Sequence, residues 1–385
     1  MSRMNPIDAA RAFATQVRPR VGEIEQARRF PPDLAQALAA SGLLRMLVPA
    51  GMGGLESDPA TVVRAIETVA EADASSGWCL MIAATTAMMS ARLAPPHAAE
   101  VFGDPDTLTA GVFAPMGRAI DAGDHWRVTG RWKWGSGSQN AAWIAGGAVL
   151  MGEGGPQLDA QGQPLHRMIF FPAGEVEFID TWRTSGLCGT GSLDFAVKDL
   201  LVPKGRSVAL QSDPSLAAAA VFRFPAFGML AAGIAAVAIG NARGALADFA
   251  AIAATSSSQG SQRSLAERNV VQSEFAQATG EVEAARARFL EAIDTAWRTV
   301  QADGAASLTD RAHLRLACAH AAKACAEAAR RTYDLGGGAA VFLESPLQRR
   351  FRDAHVITHH VMVGPSIFEL AGRVLLGLPT RDELL

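Results

Sequence analysis

The chain has 385 residues, with 35 Lys and Arg against 38 Asp and Glu, for a formal net charge of −3. That length allows two or three domains around a sizeable core, and the near-neutral balance excludes a basic field for nucleic acid or anionic lipid. Hydrophobic residues are 49% of the chain, yet no run reaches the roughly 20 uninterrupted apolar residues that a bilayer requires.

The opening MSRMNPIDAARAF lacks the apolar core and small-residue cleavage site of a secretory signal. From about 5 to 100 the periodicity is helical. PPDLAQALAASGLLRML begins with prolines and sets Leu34, Leu38, Leu43 and Leu44 along one side. VPAGMGGLESD reads as a glycine-punctuated loop, and residues 58–93 read as two helices broken between Asp73 and Gly77. From about 107 to 208, HWRVTGRWKWGSG, AAWIAGGAVLM, RMIFFPAGEVEFID and LDFAVKDLLVP are short aromatic and β-branched runs between Gly, Pro and Asp. That pattern predicts an antiparallel β-domain. Helices return from about 212, near 213–256, 262–303, 307–335 and 355–377, with Gly336, Gly337 and Gly338 interrupting the last pair. The most apolar of these stretches, MLAAGIAAVAIGNARGAL, is mostly small residues and is broken by Gly240, Asn241 and Arg243, which fits helix packing and subunit contact. No repeat of 20 to 50 residues is visible. The expected domains are therefore 1–106 helical, 107–208 β, and 209–385 a helical bundle.

Cys79, Cys188, Cys318 and Cys325 are scattered, with no CxxC pair, which predicts a reduced, cytoplasmic protein without disulfides. On a helix, His313 and His320 share a face, and so do Cys318 and Cys325, but the two sets lie roughly 140° apart. They cannot converge on one ion, so no metal site is expected. No GxxxxGK[ST] or GxSxG occurs, and GGGAAV does not fit GxGxxG after a strand. What stands out is GRWKWGSGSQN, where aromatics adjoin a Gly-Ser-Gly-Ser run. Composition leaves two readings: a tight turn capped by Ser136 and Ser138, or a loop that presses backbone and hydroxyls against a flat ring.

The order of these textures, with GLLRMLVPAGMGGLESD, DASSGWCL, HWRVTGRWKWGSGSQNAAWI, the LVP at 201–203 and LGGGAAVFLESPLQRRFRDA, resembles the acyl-CoA dehydrogenase superfamily over nearly the whole chain. The resemblance implies an α+β fold: an N-terminal helical domain, a central antiparallel β-barrel and a C-terminal four-helix bundle. Dehydrogenases of this family use a Glu to remove the α-proton of an acyl thioester. Here RDAHVITHHVMVGPSIFE carries Val361 at the matching place, and VFRFPAFGML, where a smaller group finds its acid, has none.

SGLCGTGSLDFAVKDLLVP, the hydroxyl-Gly pair in WGSG and the histidines after Arg-Asp are instead similar to the oxygenase components of two-component flavin monooxygenases. That likeness implies reduced FMN or FAD supplied by a separate NAD(P)H-dependent flavin reductase, O₂ activated at flavin C4a, a small hydrophobic or aromatic substrate, and a homotetramer. It casts Ser136, with Gly137, as the group at flavin N5, Trp134 as a wall of the ring, and Gly189, Thr190, Gly191 and Ser192 as backbone against the isoalloxazine edge or pocket. His360 or His359 would be the acid/base or positioning donor. Gly337 and Gly338 would lie near the flavin phosphates of a neighbouring subunit, and Thr85, Met88, Met89 and Phe227 would line an apolar pocket. The superfamily's Arg-x-x-Phe-Gly segment survives only as SQRSLAERNVVQSEF, which favours transient flavin over tightly held FAD. Two alternatives stay open: a dehydrogenase with a non-standard base, and a flavin-binding assembly protein without catalysis.

Overall fold

The computed structural model describes residues 5–210, 212–256, 263–380 and 385. Six helices come first: α1 (Pro6–Val17), α2 (Val21–Ala27), α3 (Pro32–Ala40), α4 (Pro59–Ala72), α5 (Ala74–Ala87) and α6 (Pro95–Phe102). Proline opens the first turn of α1, α3, α4 and α6, where its missing N–H costs nothing. The break between α4 and α5 is Asp73. Its extended backbone ends α4, and its carboxylate caps α5 by accepting from the Ser76 amide and hydroxyl, both at 2.7 Å. All of α5 is buried, so it shows no amphipathic stripe.

Eight strands form one sheet among the described residues: β1 (Thr109–Ala122), β2 (His125–Gly135), β3 (Trp143–Gly152), β4 (Gly155–Pro156), β5 (His166–Pro172), β6 (Glu177–Ile179), β7 (Leu193–Pro203) and β8 (Ser207–Val208). The order is β6-β7-β2-β1-β3-β5-β8, with β4 beside β3. This corrects the expected antiparallel barrel in two ways. The sheet is open, its edges being the short β6 and β8, and it is mixed, because β1 and β3 pair in parallel. The cause is the segment 136–142, which carries the chain from the end of β2 across to the far side of β1. Short edge strands leave little unpaired backbone to cover. One indole organises the sheet: Trp132 is fully buried, stacks on Phe195 with centroids 5.1 Å apart, and donates Nε1–H to the Gly147 carbonyl at 2.7 Å. A Cβ at Gly117, Gly130 or Gly146 would collide with that ring, so three glycines on three strands make room for one tryptophan.

Five further helices follow among the described residues: α7 (Ala226–Thr255), α8 (Asn269–Asp303), α9 (Leu308–Gly336), α10 (Pro346–Thr358) and α11 (Ser366–Leu375). The single helix expected at 355–377 is two, since Gly364 and Pro365 interrupt it and Pro365 offers no N–H to continue the ladder. α7 is long and apolar enough to cross a membrane, but its apolar stretch is the buried centre of the bundle. A Cβ at Gly240 would overlap the Glu67 carbonyl of α4, so a glycine there sets how closely α7 and α4 approach. Cys318 and Cys325 are buried in the bundle core while His320 is exposed, as their opposed helix faces require.

Candidate active site

The site is assembled from α5, the turn after β2, the loop before β7 and the end of α10. The turn is tight: the Ser136 amide donates to the Trp134 carbonyl at 2.9 Å, and the Gly137 amide crosses to the Thr190 carbonyl at 2.9 Å. Gly137 sits at φ 72° and Trp134 at φ 66°. The first suits glycine, and the second is uncommon for a bulky side chain. Pairing of β2 with β7 is irregular between Trp132 and Gly135. The bulge leaves Trp134 62% exposed, a largely uncovered flat apolar face among the described residues.

Behind the turn, Ser136 lies among hydroxyls. Its Oγ is 2.6 Å from Ser192 Oγ, which is 2.6 Å from Thr190 Oγ1, and Thr190 donates to the Leu187 carbonyl at 2.8 Å. Trp78 on α5 donates its indole N–H to Ser136 at 3.0 Å. The other side of that indole meets His360, with ring centroids 5.6 Å apart and an edge-on angle of 62°. Trp78 thus joins the serine and histidine sides of the site.

His360 accepts the Met362 amide at Nδ1, 3.2 Å away. That bond places the proton of the neutral ring on Nε2. Burial, and then the positive charge of Arg315, push the His360 pKa down to about 4, so the ring is neutral at neutral pH. Arg315 is itself fully buried and donates to the Met362 carbonyl at 3.2 Å, which fixes the turn that presents the histidine. Burial lowers its own pKa to about 10. His359 is exposed, so of the two histidines it is His360 that packs into the site.

Two buried carboxylates nearby are committed elsewhere. Asp73 caps α5, and Asp353 accepts the Leu187 amide at 2.6 Å. Burial raises the Asp353 pKa to about 7, against the lowering effect of that amide. Val361, which the resemblance sets where a dehydrogenase base is expected, is 68% exposed.

The remaining expected site residues separate. The Thr190 and Gly191 amides donate to the Leu187 and Cys188 carbonyls, and a Cβ at Gly189 would meet Ile24 of α2. This loop therefore offers hydroxyls to the site, while two of its amides, those of Thr190 and Gly191, are engaged within the loop. Thr85 turns its hydroxyl onto the Met81 carbonyl of its own helix at 2.9 Å, while the adjacent Thr86 hydroxyl is buried without a partner. Met88 belongs to the main core, and Met89 to a separate cluster with Val48, Phe102 and Phe170. Phe227, at the start of α7, is half-buried with its ring edge-on to Phe113 at 6.4 Å. Gly337 and Gly338 lie apart on the exposed turn after α9. Of SQRSLAERNVVQSEF, the first two residues fall outside the described residues, and Phe275 packs on Phe249. The sequence reading gave no role to Trp78, Asp353 or Arg315, although Trp78 is a lone aromatic among small residues and Asp353 belongs to the Arg-Asp pair.

Residues 6–95 match the family model for the acyl-CoA dehydrogenase N-terminal domain, and residues 232–365 that for the acyl-CoA dehydrogenase C-terminal domain. The chain is 34% identical over 362 residues to an indole-3-acetate monooxygenase of Pseudomonas putida, covering 94% of this chain and 90% of that one. The chain belongs to the acyl-CoA dehydrogenase superfamily. Within it, the chain is a flavin-dependent monooxygenase of the oxygenase-component branch. A relative of Rhizobium sp. (strain MTP-10005), the oxygenase component of an FADH(2)-dependent resorcinol hydroxylase, is 28% identical and covers 94% of this chain and 91% of its own. The crystal structure of the HsaA monooxygenase from M. tuberculosis superposes with a TM-score of 0.90 at 27% identity, covering 99% of both chains.

The residues present fit a flavin. An exposed flat indole at Trp134, a left-handed glycine at 137 and the Ser138 hydroxyl, buried without a hydrogen-bond partner, flank Ser136 along the chain. That is a planar wall beside polar atoms able to meet a heteroaromatic edge.

Proposed function

We propose that this protein takes reduced FMN or FAD by diffusion from a separate NAD(P)H-dependent reductase and uses it with O₂ to hydroxylate a small, electron-rich aromatic molecule. The observation that carries this reading is the Trp78 bridge, which links a buried serine hydroxyl to a neutral histidine with no acid between them. When bound, the reduced flavin supplies two electrons, so that one oxygen atom of O₂ enters the substrate and the other leaves as water.

The chain's own residues bind, orient and exclude water. Ser136 meets flavin N5, Trp134 covers a ring face, and Ser138 takes a polar atom of the ring edge. His360 acts as a donor through Nε2–H, because Nδ1 already holds the Met362 amide. Thr86, whose buried hydroxyl has no partner, faces the substrate side. An indole suits such a site: it is electron-rich without first losing a proton, so it needs no base, and the identity to indole-3-acetate monooxygenase supports the same class. Beside Gly337 and Gly338, Val341, Phe342 and Leu343 are 60%, 63% and 77% exposed. An apolar run of that kind supports burial against another copy, in a homotetramer whose neighbour's flavin phosphates meet the two glycines. Four free cysteines support a reducing, cytoplasmic location.

The test is turnover with reduced FMN or FAD and air over a panel of indoles, phenols and acyl-CoA thioesters. Hydroxylated indole is the expected product, with little H₂O₂ released. Turnover of the thioesters alone would reject the reading.

A further inference from the structure

The groups behind Ser136 form a chain whose direction follows from counting protons. A hydroxyl has one proton to donate and two lone pairs that accept. Thr190 donates to the Leu187 carbonyl, which has no proton to return. Ser192, 2.6 Å from Thr190 Oγ1, must then be the donor to it. Ser136, 2.6 Å from Ser192, must donate in turn. An indole N–H can only donate, so Trp78 feeds Ser136 and closes the sequence. Every proton points from α5 toward Leu187.

The far end is held firmly. The Leu187 carbonyl also accepts the Thr190 amide and the Trp182 indole N–H, each at 3.1 Å. Its backbone sits at φ 50°, and its amide is tied to Asp353. The carbonyl cannot swing away without breaking all of these. Ser136, Ser192 and Thr190 are buried, so bulk water is not at hand to reverse the order, and successive bonds of one direction polarise each other.

We propose that this one-way chain fixes Ser136 as an acceptor toward its ligand, so that the site selects the flavin bearing a proton on N5, the reduced form, over the oxidised form, whose N5 only accepts. The inference rests on the reading of Ser136 as the neighbour of N5. Trp78, Ser192 and Thr190 are then positioning residues that act through Ser136. Donation from Ser136 to oxidised flavin would leave two oxygens 2.6 Å apart with no proton between them.

The test is anaerobic equilibrium binding of reduced and oxidised FMN, read as the ratio of the two dissociation constants. The wild type favours the reduced form by about tenfold or more, the scale of one hydrogen bond gained against one acceptor clash. Ser192→Ala releases the Ser136 proton, so oxidised flavin binds more tightly and the ratio falls about tenfold. Thr190→Val removes the anchor and lowers the ratio too, whereas Thr190→Ser keeps it. With oxidised flavin labelled at N5, the ¹⁵N resonance moves toward that of a hydrogen-bonded nitrogen in Ser192→Ala and Thr190→Val, but not in the wild type or Thr190→Ser. A folded Ser192→Ala or Thr190→Val that binds reduced flavin with the wild-type ratio overturns the inference. If Ser136→Ala changes neither affinity, the placement of Ser136 at N5 is wrong and the inference falls with it.

Discussion

Helices α5 and α7 meet at the centre of the molecule, where Met81 of α5 occupies the space left by Gly233 of α7. Both are buried and rich in small residues, yet they use that composition differently. On α7 the small residues let other elements approach: Gly240 faces the α4 backbone and Gly244 the Arg350 guanidinium. On α5 they surround groups that reach outward, Trp78 to Ser136 and His360, with Asp73 fixing the start of the helix. One helix sets the spacing of the bundle and the other carries the site. Substitutions on the two sides should therefore separate activity from stability.

The largest effect is expected on the site side. His360→Ala should lower product formation by about 100-fold or more, the range for removing a positioned donor, while reduced-flavin affinity and melting temperature hold. A parallel loss of both in calorimetry and binding would make His360 part of the fold and erase the contrast. On the packing side, Gly240→Val should cost about 3 kcal/mol of stability, since the overlap is with backbone that cannot repack locally. Denaturant unfolding measures it, and the folded fraction should keep its flavin affinity.

Asp353 lies between the two regimes. Asp353→Ala strands the buried Leu187 amide and should cost about 2 kcal/mol, whereas Asp353→Asn keeps an acceptor and should cost little. Because its folded pKa is raised to about 7, the stability it contributes is full below its unfolded value and is lost as pH rises through 7. Asp353→Asn should remove that slope from the pH–stability curve. The smallest effect is a titration. With its folded pKa near 4, His360 contributes stability that is lost as pH falls from about 6.5 toward 4. Its ring should stay neutral at pH 5.5 by NMR; an imidazolium signal there would reopen a role as acid.

The alternation of helix, sheet and helix was legible because each texture carries its own periodicity. Closure of the sheet was not, since periodicity tells which face of a strand is buried but not which strand it pairs with. The parallel β1–β3 pair depends on where a seven-residue turn crosses. Ser136 and His360 stood out through motifs. Trp78 and Asp353 also sit inside motifs, but their roles could not be read there, because they come from partners 58 and 166 residues away. The α10–α11 break was written in Gly364 and Pro365, but the apolar pattern on both sides concealed it.

The most direct test of the whole account is turnover under ¹⁸O₂ with reduced flavin and an indole substrate, followed by mass spectrometry of the product. One ¹⁸O atom per product molecule is expected. Unlabelled product, together with flavin reduction by an acyl-CoA in the absence of oxygen, would contradict the account.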